Sequence, residues 1–143
     1  MSYLLDVNVL IALAWPRHVH HVPATRWFST AHGEGWATAP LTESGFVRVS
    51  SNARVFPDGV TPGQASELLA RIHEIPGHEF WTDSVSFSES IDVIEAHVHG
   101  SSAVTDAHLA LICRDHRGVL ATFDRAAASL ARELGAMGVV IPA

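Results

Sequence analysis

The chain has 143 residues, 48% of them hydrophobic, which is enough apolar material for the core of one domain. Its formal charge is −6 and all nine basic residues are arginine, which argues against a general nucleic-acid binder held by a basic surface, because that mode needs many phosphate-neutralising cations. The lone cysteine, Cys113, lies in an apolar helical context and excludes disulfide scaffolds, thiolate zinc sites and CxxC redox chemistry; no window approaches the roughly 18 apolar residues of a membrane span, so a cytoplasmic protein is expected.

Residues 3 to 5 (YLL) form a short strand ending at Asp6, and residues 7 to 15 read as a helix stopped by Pro16. The stretch 18 to 35 carries Val22, Trp27 and Phe28 and closes as a helix at GEG. WATAP (36 to 40) is a second strand, and Pro40 then sits where a helix can begin, with Leu41, Phe46, Val47 and Val49 near helical spacing. After a Pro- and Gly-containing loop (53 to 62), a helix over 63 to 75 places Ala65, Leu68, Leu69 and Ile72 on one stripe. HEFWTD (78 to 83) is a third strand, SESIDVIEAH (88 to 97) an amphipathic helix, and HGSSAV a loop. The clearest helix runs from 104 to 118 with Gly118 as its stop; VLATF (119 to 123) is an apolar strand, RAAASLARELGAMG a last helix and VVI (139 to 141) a last strand. Strands alternate with helices and are apolar throughout rather than every second residue, which predicts a three-layer α/β/α fold, one domain over 1 to 143, around a small parallel sheet.

Four carboxylates interrupt these apolar segments. Asp6 follows the first strand, Glu43 lies near the start of the helix after WATA, Asp106 opens the helix before VLATF, and Asp124 follows VLATF. Ligands of open parallel sheets bind beyond the carboxyl ends of the strands where strand order reverses. Three of the acids point to that crevice, and Asp106 reaches it from a helix N-terminus. A buried, unpaired carboxylate costs several kcal/mol, so Asp6 requires a partner or a task. Clustered carboxylates without histidine or thiolate partners favour Mg²⁺ or Mn²⁺, which activates water for attack at phosphorus. Each acid also has an ordinary reading: Asp6 and Asp106 as helix N-caps, Asp124 as part of a turn, Glu43 as a first-turn acid favoured by the helix dipole.

The stretches LLDVNVLIAL, WATAPLTESGFVRV and VTDAHLALICRDHRGVLATFDRA, in this order and at this spacing, resemble the PIN-domain ribonucleases, and most closely the VapC-type toxins of bacterial toxin–antitoxin pairs. The resemblance implies a PIN-like fold, Mg²⁺- or Mn²⁺-dependent endonucleolytic cleavage of an RNA substrate, and inhibition by a cognate VapB-type antitoxin. Asp6, Glu43 and Asp106 match the family's metal-site acids and Asp124 its fourth, more variable one. Asn8 matches the polar residue supporting the first aspartate, and Thr122 one beside the fourth. The family departure is AAAS after TFDR, where another acid or an aromatic is common.

Arg48, about one helical turn from Glu43, is the candidate phosphate contact, since guanidinium grips phosphate bidentately. The histidines of HVHH (18 to 21) and HVH (97 to 99) read as surface or capping residues rather than a zinc site, which wants a closed set of four ligands; His99 and His108 lie near Asp106 in sequence. The four tryptophans read as core or interface. The amphipathic segments 63 to 75 and 88 to 97 leave room for a homodimer face and an antitoxin groove. Two other readings stay open: a haloacid-dehalogenase-like phosphohydrolase with Asp6 as nucleophile, weakened by Asn8 and by the absence of lysine, and a catalytically silent binding module.

Overall fold

The computed structural model describes residues 1 to 143. Five strands, β1 (Tyr3–Leu5), β2 (Trp36–Thr38), β3 (His78–Phe80), β4 (Val119–Thr122) and β5 (Met137–Val140), form one parallel sheet in the order β3-β2-β1-β4-β5. Leu4 pairs with Ala37 on one side and with Leu120 on the other, so β1 is the central strand. The chain moves outward from β1 through β2 to β3, then crosses back to lay β4 on the opposite side of β1. The reversal falls between β1 and β4, whose carboxyl ends carry Asp6 and Asp124.

Seven helices cover the sheet: α1 (Val7–Ala14), α2 (His21–Ala31), α3 (Pro40–Ser50), α4 (Pro62–Ile72), α5 (Ile91–His97), α6 (Val104–Asp115) and α7 (Arg125–Glu133). Side chains alternate across a strand, and here the alternation splits the core in two. Leu4, Ala37 and Leu120 face the layer built by α6 and α7, with Leu109, Ala110, Ile112 and Leu130. Leu5, Trp36 and Ala121 face α1 to α4, with Leu10, Phe28, Phe46 and Leu69. Both sheet faces are covered, which is why the strands read as continuous apolar runs. No helix is long and apolar enough to cross a membrane.

The predicted three-layer class agrees with this architecture, and the differences are local. The last helix stops at Glu133 because Gly135 adopts φ +90°. The Gly135 and Ala136 N–H groups then donate to Arg132 and Ala131 carbonyls at 3.2 and 2.9 Å, the paired closure of a left-handed helix end. That frees Met137 and Gly138 to begin β5, and a Cβ on Gly138 would lie 2.5 Å from the Ala128 carbonyl oxygen. At the end of α6 the left-handed residue is Arg117, at φ +55°, and not Gly118. Gly118 is needed for space: a Cβ there would strike the Trp81 indole. The third strand is shorter than expected: its pairing with β2 ends at Phe80, after which the Trp81 N–H still donates to the Thr38 carbonyl at 2.8 Å and the Trp81 side chain enters the core. The fully buried Cys113 is core filler, its thiol pushed up to about 12 by burial.

Gly45 sets the distance between α3 and α1, since a Cβ there would fall 2.6 Å from Val7 Cγ2. Overpacking of this kind costs about 1 to 3 kcal/mol. Gly45→Val is therefore expected to lower the thermal midpoint, while Gly33→Ala, which meets nothing within 4 Å, leaves it nearly unchanged; paired melts by circular dichroism check this.

Candidate active site

The carboxyl edge of β1 and β4 is organised by one hydroxyl. Thr122, fully buried at the end of β4, donates from Oγ1 to Asp6 Oδ2 at 2.8 Å. The same oxygen accepts from Asn8 Nδ2 at 3.3 Å and from the Asp124 N–H at 3.0 Å. A hydroxyl has one proton and two lone pairs, so Thr122 is saturated and its proton is committed to Asp6. Asn8 closes the ring by accepting from the Phe123 N–H at 3.4 Å. Asp6 Oδ1 accepts from the Val7 N–H at 2.7 Å, capping α1. Asp124 caps α7 in the same way, accepting from the Ala126 N–H at 2.8 Å. Asp106 is no cap: Ala103 holds that position, and Asp106 lies in the first turn of α6. All three aspartates thus sit at helix N-termini, where the backbone dipole favours negative charge.

The three charges nevertheless repel. Burial, with Asp6 and Asp124 adding to it, pushes the Asp106 carboxyl up to about 6. Burial also raises Asp6, opposed by the Thr122 and Val7 hydrogen bonds and reinforced by Asp124. No arginine or histidine forms an ion pair with any of the three; the ion pairs lie elsewhere. An all-oxygen donor set with uncompensated charge fits a hard divalent cation that keeps much of its water. No three of the four acids converge within 4.8 Å.

Glu43 is placed differently. It lies in the first turn of α3 at the same sheet edge, yet its Oε2 accepts from Thr38 Oγ1 at 2.7 Å and faces His73 Nε2 at 3.0 Å. His78 Nε2 lies 2.8 Å from the same Thr38 oxygen. The His73 and His78 rings stack at 4.0 Å and 13°, and burial together with His73 lowers the His78 pKa. The sequence reading does not single out His73 and His78. Their signal is HEIPGH, two imidazoles folded back by a Pro-Gly turn in which Gly77 adopts φ +96°.

Arg48 is exposed on α3 and shares with Glu43, Ser66 and His73 a surface groove of about 550 Å³. His18 and His21 bond to backbone, through the His20 N–H at 3.0 Å and the Ala12 carbonyl at 2.7 Å. His20 instead stacks on Phe123 at 4.7 Å, beside Asp124. His108 pairs with Asp83 at 2.7 Å. Trp36 and Trp81 are core, and Trp15 stacks half-buried on Phe56 at 4.7 Å.

A family model described as PIN domain matches residues 3 to 133. The chain belongs to the PIN-domain family. Among its relatives are three proteins of Mycobacterium tuberculosis. Ribonuclease VapC39 is 46% identical over 131 residues, covering 92% of this chain and 94% of its own. Ribonuclease VapC38 is 44% identical, covering 91% and 90%. Ribonuclease VapC29 is 39% identical over 142 residues, covering 99% and 98%. This PIN domain is thus of VapC type along nearly its whole length, and membership replaces the dehalogenase-like alternative.

The raised Asp106 carboxyl carries a stability prediction for the metal-free PIN domain. With a folded pKa of about 6 against 3.8 ordinarily, the native state holds this proton more tightly than the unfolded chain. The stabilisation is complete below the ordinary value and is lost as pH rises through about 6. Thermal melts in chelator are expected to show the midpoint falling from pH 5 to pH 8, less steeply in Asp106→Asn. The variant's midpoint at pH 8 should exceed the parent's; an equal or lower one contradicts the raised carboxyl.

Proposed function

We propose that this chain is a metal-dependent endoribonuclease, the toxic component of a toxin–antitoxin pair. The observation that carries this reading is the group of three uncompensated aspartates at the reversal point of a PIN-family sheet. The ribonuclease names of relatives 39 to 46% identical over most of the chain support an RNA substrate. Asp6, Asp106 and Asp124 would hold Mg²⁺, or Mn²⁺ in its place, with Glu43 joining when its side chain turns from His73. A cation held there would supply Lewis-acid chemistry, polarising the scissile phosphodiester and lowering the pKa of a water.

The protein's own groups then have distinct tasks. Thr122 keeps one Asp6 oxygen fixed, and the Val7 N–H holds the other, Oδ1. Asn8 holds the Thr122 hydroxyl and the Phe123 backbone in register, so the Asp6 and Asp124 carboxylates keep a constant spacing. Arg48 lies in a groove that runs from Glu43 and would grip a neighbouring RNA phosphate with its planar fork. The net charge of −6 leaves recognition to such local contacts and to RNA shape.

The partner in this reading is a VapB-type antitoxin whose C-terminal segment covers the acidic edge. A homodimer in the cytoplasm completes the picture. Large apolar side chains exposed on the surface, Phe80, Ile91 and Met137 among them, provide contact area for such association.

Purified chain is expected to cut RNA internally with Mg²⁺ or Mn²⁺ and to stop in chelator. Asp6→Asn and Asp106→Asn should each lower the rate by more than about 100-fold, beyond the range for changes one shell out from a metal, with native circular dichroism. Undiminished cleavage by either variant overturns the site. A folded parent that never cleaves RNA leaves the silent binding module as the better reading.

A further inference from the structure

A second constellation is built around Glu43, and its donors differ. Glu43 Oε2, His73 Nε2 and a nitrogen of His78 fall within 4.8 Å of one another. Two of these separations are anchored by short contacts. His73 Nε2 is 3.0 Å from Glu43 Oε2, and His78 Nε2 reaches the same carboxylate oxygen through Thr38 Oγ1, at 2.8 and then 2.7 Å. Metal–ligand bonds of about 2.0 to 2.1 Å place tetrahedral neighbours about 3.3 Å apart. The His73–Glu43 separation is already near that value, and His78 closes to it with a small side-chain shift from within 4.8 Å.

The site is built by three separate elements. Glu43 comes from α3, His73 closes α4, and His78 opens β3. The turn between the two histidines depends on Gly77, whose φ of +96° and whose crowding against the His32 carbonyl both exclude a side chain. The Trp36 indole, fully buried, packs on the His78 ring at 4.6 Å, so the stacked imidazoles are held from behind. The Glu43 and His73 side chains keep 24% and 27% of their surface in solvent, which leaves a way in.

We propose that His73, His78 and Glu43 bind a borderline divalent cation, Zn²⁺, and that its occupation withholds Glu43 from the aspartate centre. Two imidazoles and one carboxylate are a zinc-type set with the fourth position open to water. Mg²⁺ and Mn²⁺ prefer the all-oxygen set beside it. The donor chemistry therefore sorts cations between two adjacent centres that compete for one carboxylate. Zinc at the first lowers the nuclease activity of the second. The binding half stands on the histidine geometry alone; the withholding half rests on the nuclease reading above.

Co²⁺ serves as the visible probe for Zn²⁺ in a titration of the full chain. One equivalent is expected to give the ligand-field absorption of a four- or five-coordinate site, displaced by Zn²⁺ and not by excess Mg²⁺. His73→Gln and His78→Gln should each weaken Co²⁺ binding at least about tenfold, while Asp6→Asn with Asp106→Asn keeps the spectrum. Absence of the absorption, its indifference to both histidine variants, or its loss in the aspartate variant overturns the site. In Mg²⁺-supported RNA cleavage, micromolar Zn²⁺ should inhibit the parent, and each histidine variant should lose that sensitivity relative to its own zinc-free rate. Equal inhibition of parent and variants overturns the withholding of Glu43. If the chain binds cobalt at the histidines but cuts no RNA, the nuclease reading and the withholding fall together and the cation site stands.

Discussion

The carboxylate of Asp6 is placed where a protein can least easily keep one: at the end of the central strand, 8% exposed, between two apolar helical layers. Ionised there, it needs hydrogen bonds to survive desolvation. The chain supplies them from both neighbours. The Val7 N–H answers from the first turn of α1, and Thr122 answers from β4 across the only parallel pairing that spans the reversal point. Satisfying Asp6 therefore fixes how β1, β4 and α1 meet, and with them the position of Asp124. A hydroxyl at 122 that gave its proton elsewhere would leave Asp6 half-satisfied and unlock the loop that carries Asp124.

The second constraint is where the Glu43 side chain is held. Glu43 lies on α3, which Gly45 allows to sit close against α1. From that position its carboxylate faces the imidazoles of His73 and His78. Its contacts run to Thr38 and His73, so the aspartates face one another without it. Burial, reinforced by Asp6 and Asp124, raises the Asp106 carboxyl, and a cation would offset that penalty.

Much of this is legible from residue pattern because it rests on burial and period. Apolar runs such as YLL and VLATF mark strands covered on both faces, and the acids that break such runs mark the functional edge. Asp6, Asn8, Thr122 and Asp124 fall within a few residues of strand ends, so knowing the strands locates them. What depends on three-dimensional closure is not visible in that way. His73 and His78 gain meaning only when a left-handed Gly77 brings them onto Glu43, 30 and more positions earlier in the chain. The role of Gly118 as space for Trp81, with Arg117 taking the left-handed turn, likewise depends on a partner far off in sequence. Asp106 reads as a cap from its neighbours and is displaced from that role by the turn at Ser101–Ala103 that precedes α6.

The most direct test of the acidic centre is anomalous diffraction from crystals of the chain grown with Mn²⁺. A peak in contact with, or one water away from, Asp6, Asp106 and Asp124 is expected, with Thr122 Oγ1 still on Asp6. Manganese found only at Glu43, His73 and His78, or nowhere on the protein at saturating concentration, would contradict a three-aspartate cation site.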